Sequence, residues 1–190
     1  VAGIDLGQEL VAAASLLARV NKVAIEFRHG SITELPFKSA AYDVVVGIAI
    51  LHHLSEAGVV EVLRECHRIL RDGGIAVFVE PVENSKIFNF MQNLFPVRGG
   101  GYRPSILQRK AWARYKETRD DRAMSNLELI RAGEELFRSI SISPYGCLVR
   151  LARFFGAESR EILLRVDRLI FRVFPPLRHY CQTVLVEYRK

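Results

Sequence analysis

The stretch from Tyr42 to Glu80, YDVVVGIAILHHLSEAGVVEVLRECHRILRDGGIAVFVE, decides the fold class. Its opening, Tyr42 to Ile50, is nearly all apolar and rich in β-branched residues, the composition of a strand covered on both faces in a parallel sheet. Ser55 is a capping residue ahead of VVEVLRECHRIL, a helix expected to stop at Asp72-Gly73-Gly74, where glycine supplies a left-handed C-cap. Ile75 to Val79 then reads as another buried strand. Strand, helix and strand joined by short links make a right-handed βαβ unit of a doubly wound sheet.

Working outward, Val1 to Asp5 reads as a short strand, Gln8 to Val20 as a helix and Val23 to Phe27 as a strand. On the other side, residues 84–124 break into short pieces around Pro96, Gly99-Gly100-Gly101 and Pro104, and are expected to form a lid-like insert. Ser125 opens a helix over SNLELIRAGEELF, with Glu128 at the capping-box spacing. Ser139 to Tyr145 and Cys181 to Tyr188 are strands that close the sheet. Between them lie arginine-studded helices at Leu148 to Phe155 and Ser159 to Phe174, a helical insert over about 147–174. The expected fold is α/β, a Rossmann-like three-layer sandwich. Its sheet is mostly parallel with an antiparallel C-terminal strand, in a single domain over residues 1–190.

The chain has 190 residues, a size that suits one hydrophobic core, and at 49% hydrophobic and 25% charged it is too apolar for a disordered chain. Cys66, Cys147 and Cys181 are odd in number and widely spaced, which argues for a reducing cytoplasm rather than a disulfide framework. No apolar run approaches the ~20 residues of a membrane span. Charge is divided unevenly: residues 1–83 hold 7 Lys/Arg against 11 Asp/Glu, and residues 84–190 hold 20 against 10. The basic second half favours an acidic partner or a solvated arginine surface. Without a nucleic-acid reading motif or a series of stacking aromatics, no nucleic-acid partner is expected.

Ligands of doubly wound sheets bind at the C-terminal ends of the strands, so the residues to examine follow Asp5, Phe27, Gly47 and Val79. An acid at the end of a short strand, as in Val1-Ala-Gly-Ile-Asp5, can accept both hydroxyls of a nucleotide ribose, or serve only as a turn cap. His52 and His53 are adjacent, so their side chains point apart; they are poor joint metal ligands and no metal site is expected.

The order of these motifs resembles the methyltransferase type 11 group of class I S-adenosylmethionine-dependent methyltransferases. They stand here as Gly3-Ile-Asp5-Leu-Gly7, Gly30-Ser31-Ile32, Leu35-Pro-Phe37, Tyr42-Asp43, Leu51-His-His-Leu54, Leu70-Arg-Asp-Gly-Gly74 and Glu80-Pro81. The resemblance implies S-adenosyl-L-methionine as cofactor, with Asp5 on the ribose, Leu6 on the adenine, and Ser31 and Ile32 at the adenine edge. Gly47 and Ile48 would lie along the methionine part. The family's usual acid at the Ser31 position is absent. His53 is the candidate that orients or deprotonates the acceptor, and Glu80 a second candidate, whose plainer role is to hold a backbone amide or pair with a lid arginine.

The family's first strand and its glycine-rich turn do not appear, so the chain is expected to be N-terminally incomplete, a fragment inactive by itself. The alternative is a domain that has lost cofactor binding. The acceptor is expected to be a small molecule or a lipid- or glycan-linked one. From Ser159 to Phe174, Glu161, Arg165, Arg168 and Arg172 make a polar stripe on an otherwise apolar helix. That face must bury against the domain, a partner or an anionic membrane surface, and the expected location is the cytoplasm or the periphery of the inner membrane. A Rossmann-type nucleotide-binding oxidoreductase and an inactive methyltransferase-fold binding module are the rival readings. The oxidoreductase does not predict Leu51-His-His-Leu54 followed by Leu70-Arg-Asp-Gly-Gly74 and Glu80-Pro81.

Overall fold

The computed structural model describes residues 1–83, 90, 94, 104–117, 124–144, 148, 158–181 and 183–190. In chain order these form β1 (Ala2–Asp5), α1 (Gln8–Val20), β2 (Glu26–His29), β3 (Tyr42–Ile48), α2 (Glu56–Ile69) and β4 (Leu70–Pro81). After these come α3 (Arg109–Glu117), α4 (Asn126–Gly133), β5 (Ser139–Pro144), α5 (Ser159–Val173) and β6 (Thr183–Arg189). The expected lid lies largely outside the described residues, as does the expected helix from Leu148 to Phe155.

The strands fall into two hydrogen-bonded groups. β1 pairs in parallel with β2, and β3, β4, β6 and β5 form a four-stranded sheet in that order. β3 and β4 run parallel, while β6 is antiparallel to both β4 and β5, so the reversed strand is the C-terminal one, as expected. The core lies under this larger sheet, where Leu51, Val59, Leu63, Phe78, Leu129 and Tyr188 are all buried. At about 25 cal/mol per Å² of apolar surface, this cluster is the main favourable term of the fold.

Several local expectations change. β2 begins at Glu26, not Val23: the chain turns at Lys22 (φ 55°), the Val23 amide is still tied to the Ala18 carbonyl at 2.9 Å, and the ladder to β1 starts at Glu26. β3 is not covered on both faces, since Val44, Val46 and Ile48 are 50%, 64% and 71% exposed. α2 is capped by the Ser55 hydroxyl, which accepts from the Gly58 amide at 3.1 Å, but it ends at Ile69 rather than at the glycines. Leu70 is fully buried and extended, so burial draws the chain straight into β4. Gly73 then takes φ +77° within β4, where the register against β3 shifts, a conformation that glycine adopts without a Cβ penalty.

α4 is shorter than expected and stops at Gly133. A Cβ at that position would lie 2.5 Å from a ring carbon of Tyr188. Tyr188 is fully buried and its hydroxyl donates to the Leu129 carbonyl at 2.8 Å, so the glycine lets helix and strand close on each other.

Candidate active site

β1 and β3 each have a ladder partner on one side, β2 and β4 respectively. Both line a single apolar cavity of about 240 Å³, together with Ile32, Leu35, Phe37 and Cys66. Of the expected site residues, Ile32 and Gly47 line this cavity. The space that Gly47 leaves is filled by the Phe78 ring, which a Cβ would meet at 2.4 Å, so only the backbone of Gly47 is presented. Ile48, at the end of β3, is largely exposed.

At the ends of β1 and β2 the chain builds a second cluster. Asp5 is exposed, and its Oδ1 accepts from the Gly7 amide at 2.7 Å. The Asp5 carbonyl accepts from the Gly30 amide at 3.0 Å, and the Leu6 carbonyl lies 2.9 Å from Nε2 of His29. The side chain of Leu6 is 67% exposed beside the carboxylate. Asp5, Leu6 and the turn that carries Ser31 and Ile32 are thereby held together. Ser31 is committed locally: its hydroxyl lies 2.7 Å from that of Thr33 and accepts from the Thr33 amide.

The segment after this turn is fixed by an ion pair that the motifs do not reveal. Glu65 accepts from the Leu35 amide at 2.8 Å and pairs with Arg68 at 2.7 Å. Arg68 in turn donates to the carbonyls of Leu35 and Phe37. The direct hydrogen bond from Arg68 holds the Glu65 carboxyl below its ordinary value, with the Leu35 amide adding to the effect and burial opposing it.

The turn after β3 is built around Glu80. This carboxylate is fully buried, its Oε1 accepts from the amides of Ile50 and Leu51 at 2.9 Å each, and its Oε2 lies 2.9 Å from Nδ1 of His52. A buried carboxylate has several acceptor sites to satisfy, and three donors do so here. The turn begins at Ala49 with φ 53°, a left-handed conformation uncommon for a residue with a Cβ. His52 is buried and His53 exposed, yet their ring centroids lie 4.0 Å apart, so the adjacent side chains do not point apart as expected. Of the two candidates, Glu80 is thus enclosed and touches the turn, and His53 faces outward. Among the described residues there is no group of three or more His, Cys, Asp or Glu that could hold a metal ion.

The sequence pointed to Asp5, His53 and Glu80, and missed His29, Glu65 and Arg68. The missed groups act on backbone atoms far along the chain, and no local spacing signals such a partner.

Residues 1–78 match the family model described as Methyltransferase domain. The chain is 33% identical over 81 residues to a probable S-adenosylmethionine-dependent methyltransferase of Mycolicibacterium smegmatis, covering 43% of this chain and 29% of that protein. It is 31% identical over 183 residues to the ubiquinone biosynthesis O-methyltransferase of Pseudomonas aeruginosa, covering 95% of this chain and 62% of that protein. The chain thus spans less than two thirds of the length of these relatives. Its fold is also that of the geranyl diphosphate C-methyltransferase of Streptomyces coelicolor, solved with S-adenosyl-L-homocysteine. That match has a TM-score of 0.58 at 13% identity, over 99% of this chain and 63% of the other.

Proposed function

We propose that this chain belongs to the class I S-adenosylmethionine-dependent methyltransferases, as the match of residues 1–78 to a methyltransferase-domain model supports, and that it binds S-adenosyl-L-methionine and serves methyl transfer to a small or lipid-linked acceptor. The observation that carries this reading is the Asp5 cluster. An exposed strand-end carboxylate has one oxygen on the Gly7 amide, which leaves acceptor capacity for ribose hydroxyls, and it stands beside the exposed apolar face of Leu6. These residues fit the nucleoside half of the cofactor.

Asp5 would hold the ribose and Leu6 would cover the adenine. Ser31 is engaged with Thr33, so the edge of the base would fall to the backbone of Ile32. The backbone of Gly47 and Ile48 would border the methionine half. When bound, the cofactor supplies an already activated sulfonium methyl group. The chain's own task is then orientation and exclusion of water. His53, exposed in the turn after β3, would orient the acceptor or take its proton on a ring nitrogen. Glu80 serves as a positioning residue through Ile50, Leu51 and His52. The name of the Pseudomonas relative, a ubiquinone biosynthesis O-methyltransferase, favours an apolar acceptor.

Calorimetric titration of S-adenosyl-L-homocysteine into the full-length protein that carries this sequence tests this reading. Asp5→Ala is expected to weaken binding about 10- to 100-fold, the equivalent of one or two charge-assisted hydrogen bonds. Unchanged affinity in that variant, or heat with NADH and none with S-adenosyl-L-homocysteine, would overturn it.

A further inference from the structure

The helix α5 has one face that the domain uses and one that it leaves out. Asp167 and Phe171 are buried, and both oxygens of Asp167 accept from the Leu148 amide, at 2.8 and 3.0 Å. This anchor fixes the rotation of the helix about its axis. On the far side Ile162, Val166, Leu169 and Val173 recur at the three- and four-residue steps of a single helical stripe. They are 64%, 37%, 61% and 75% exposed, and Phe174, just beyond the helix, is 56% exposed. Ordinary surface helices put polar residues on this side.

Along one flank of the stripe run Arg165, Arg168 and Arg172, all exposed. Arg165 faces Glu161 at 3.6 Å with its side chain 73% exposed, and Nε of Arg168 lies 3.4 Å from the Leu164 carbonyl. Both distances are too long for a tight hydrogen bond, so these pairings hold the guanidinium groups loosely. Arg178 continues the positive charge after Pro175 and Pro176, in the half of the chain where 20 Lys/Arg face 10 Asp/Glu.

A second copy and a bilayer surface can each cover an apolar stripe flanked by arginines, and the geometry separates these two. The exposed parts of the five apolar side chains amount to roughly 500 Å², short of the ~800 Å² per partner of a standard protein interface. A second copy would also bring the same arginines against these. A bilayer surface needs neither a large flat area nor complementary shape. It takes an apolar stripe into the acyl boundary and satisfies flanking arginines with anionic headgroups.

We propose that α5 docks the protein on an anionic bilayer, with Ile162, Val166, Leu169, Val173 and Phe174 in the interface and Arg165, Arg168 and Arg172 on phosphate headgroups. The proposal deepens the functional reading only in bringing the site to a lipid-soluble acceptor. Vesicle binding is therefore measured without cofactor, so that either idea can fail alone.

The test is co-sedimentation of the chain with vesicles of phosphatidylcholine alone and of equal parts phosphatidylcholine and phosphatidylglycerol. The expected result is binding to the mixed vesicles that falls with added salt, and little binding to phosphatidylcholine. Replacing each arginine by glutamine should lower the partition coefficient about 5-fold. Leu169→Asp and Val173→Asp, at exposed positions where the fold has little to lose, should lower it ~10-fold or more while the far-ultraviolet spectrum and thermal midpoint stay as in the parent. Equal binding to both vesicle types, or variants that bind like the parent, would overturn the proposal. So would a stable dimer, seen by sedimentation, that Leu169→Asp dissociates in a chain that ignores vesicles.

Discussion

Glu80 and His52 meet at 2.9 Å in the interior, and through this pair the end of β4 holds the turn that follows β3. The same carboxylate accepts from the amides of Ile50 and Leu51, so three donors depend on one side chain. Glu80→Ala leaves all three without an acceptor, and we expect it to lower the unfolding free energy by about 3–5 kcal/mol. Glu80→Gln retains a carbonyl acceptor for the two amides and should cost less than half of that. Urea unfolding measures both. Hydrogen exchange at Ile50 and Leu51 should rise in the alanine variant before exchange in α2 does; a uniform rise would mean that Glu80 supports the core at large and not this turn.

Ala49 opens that turn at φ 53°. Glycine adopts this conformation without a clash at Cβ, so Ala49→Gly should leave stability unchanged or raise it by up to about 1 kcal/mol, against the usual effect of glycine. A loss of more than about 1 kcal/mol in chemical denaturation would show that the alanine methyl group packs more than the backbone strains.

Gly133 and Tyr188 predict the opposite kind of effect. The Tyr188 ring is wedged against Phe137, with centroids 5.2 Å apart, and tied by its hydroxyl to Leu129, so it cannot yield to a new methyl group. Gly133→Ala should destabilise by about 1–3 kcal/mol through overpacking, although alanine is the better helix former. Combined with Tyr188→Leu, which removes the ring, the same substitution should cost much less. A double-mutant cycle in thermal unfolding reads the coupling.

Glu65 sets an acid limb of stability. Its carboxyl is held below the ordinary value of 4.5 chiefly by the hydrogen bond from Arg68. As pH falls, the unfolded chain takes up this proton first, so the contribution is complete above about 4.5 and is lost as pH drops through the lowered folded value. Glu65→Gln should therefore flatten the fall in stability below about pH 5, while lowering stability at neutral pH. An acid limb of unchanged steepness would assign it to other carboxylates.

Cys66 borders the cavity between β1 and β3, yet it is only 2% exposed, and burial pushes its thiol up to about 12. Native alkylation at neutral pH should leave it unmodified, and the label should appear only in denaturant, as followed by peptide mass spectrometry.

The order of strands and helices was written in local composition. β-Branched runs gave β3 and β4, serine caps gave the starts of α2 and α4, and the acid after Ile4 stood at the end of a strand as expected. These features depend on residues a few positions apart, which a single sequence displays. The end of α2, the start of β2 and the length of α4 were not legible in the same way. Each is set by a partner distant in the chain: β3 for Leu70, β1 for Glu26 and Tyr188 for Gly133. The candidate site divides along the same line. Asp5 and His53 announced themselves by position in motifs, but only packing decided that Glu80 is enclosed and spends its oxygens on a turn about 30 residues earlier. Tertiary structure likewise decided which apolar side of α5 faces out, because apolar residues fill most of its circumference beside the arginine stripe and only the buried Asp167 fixes its rotation.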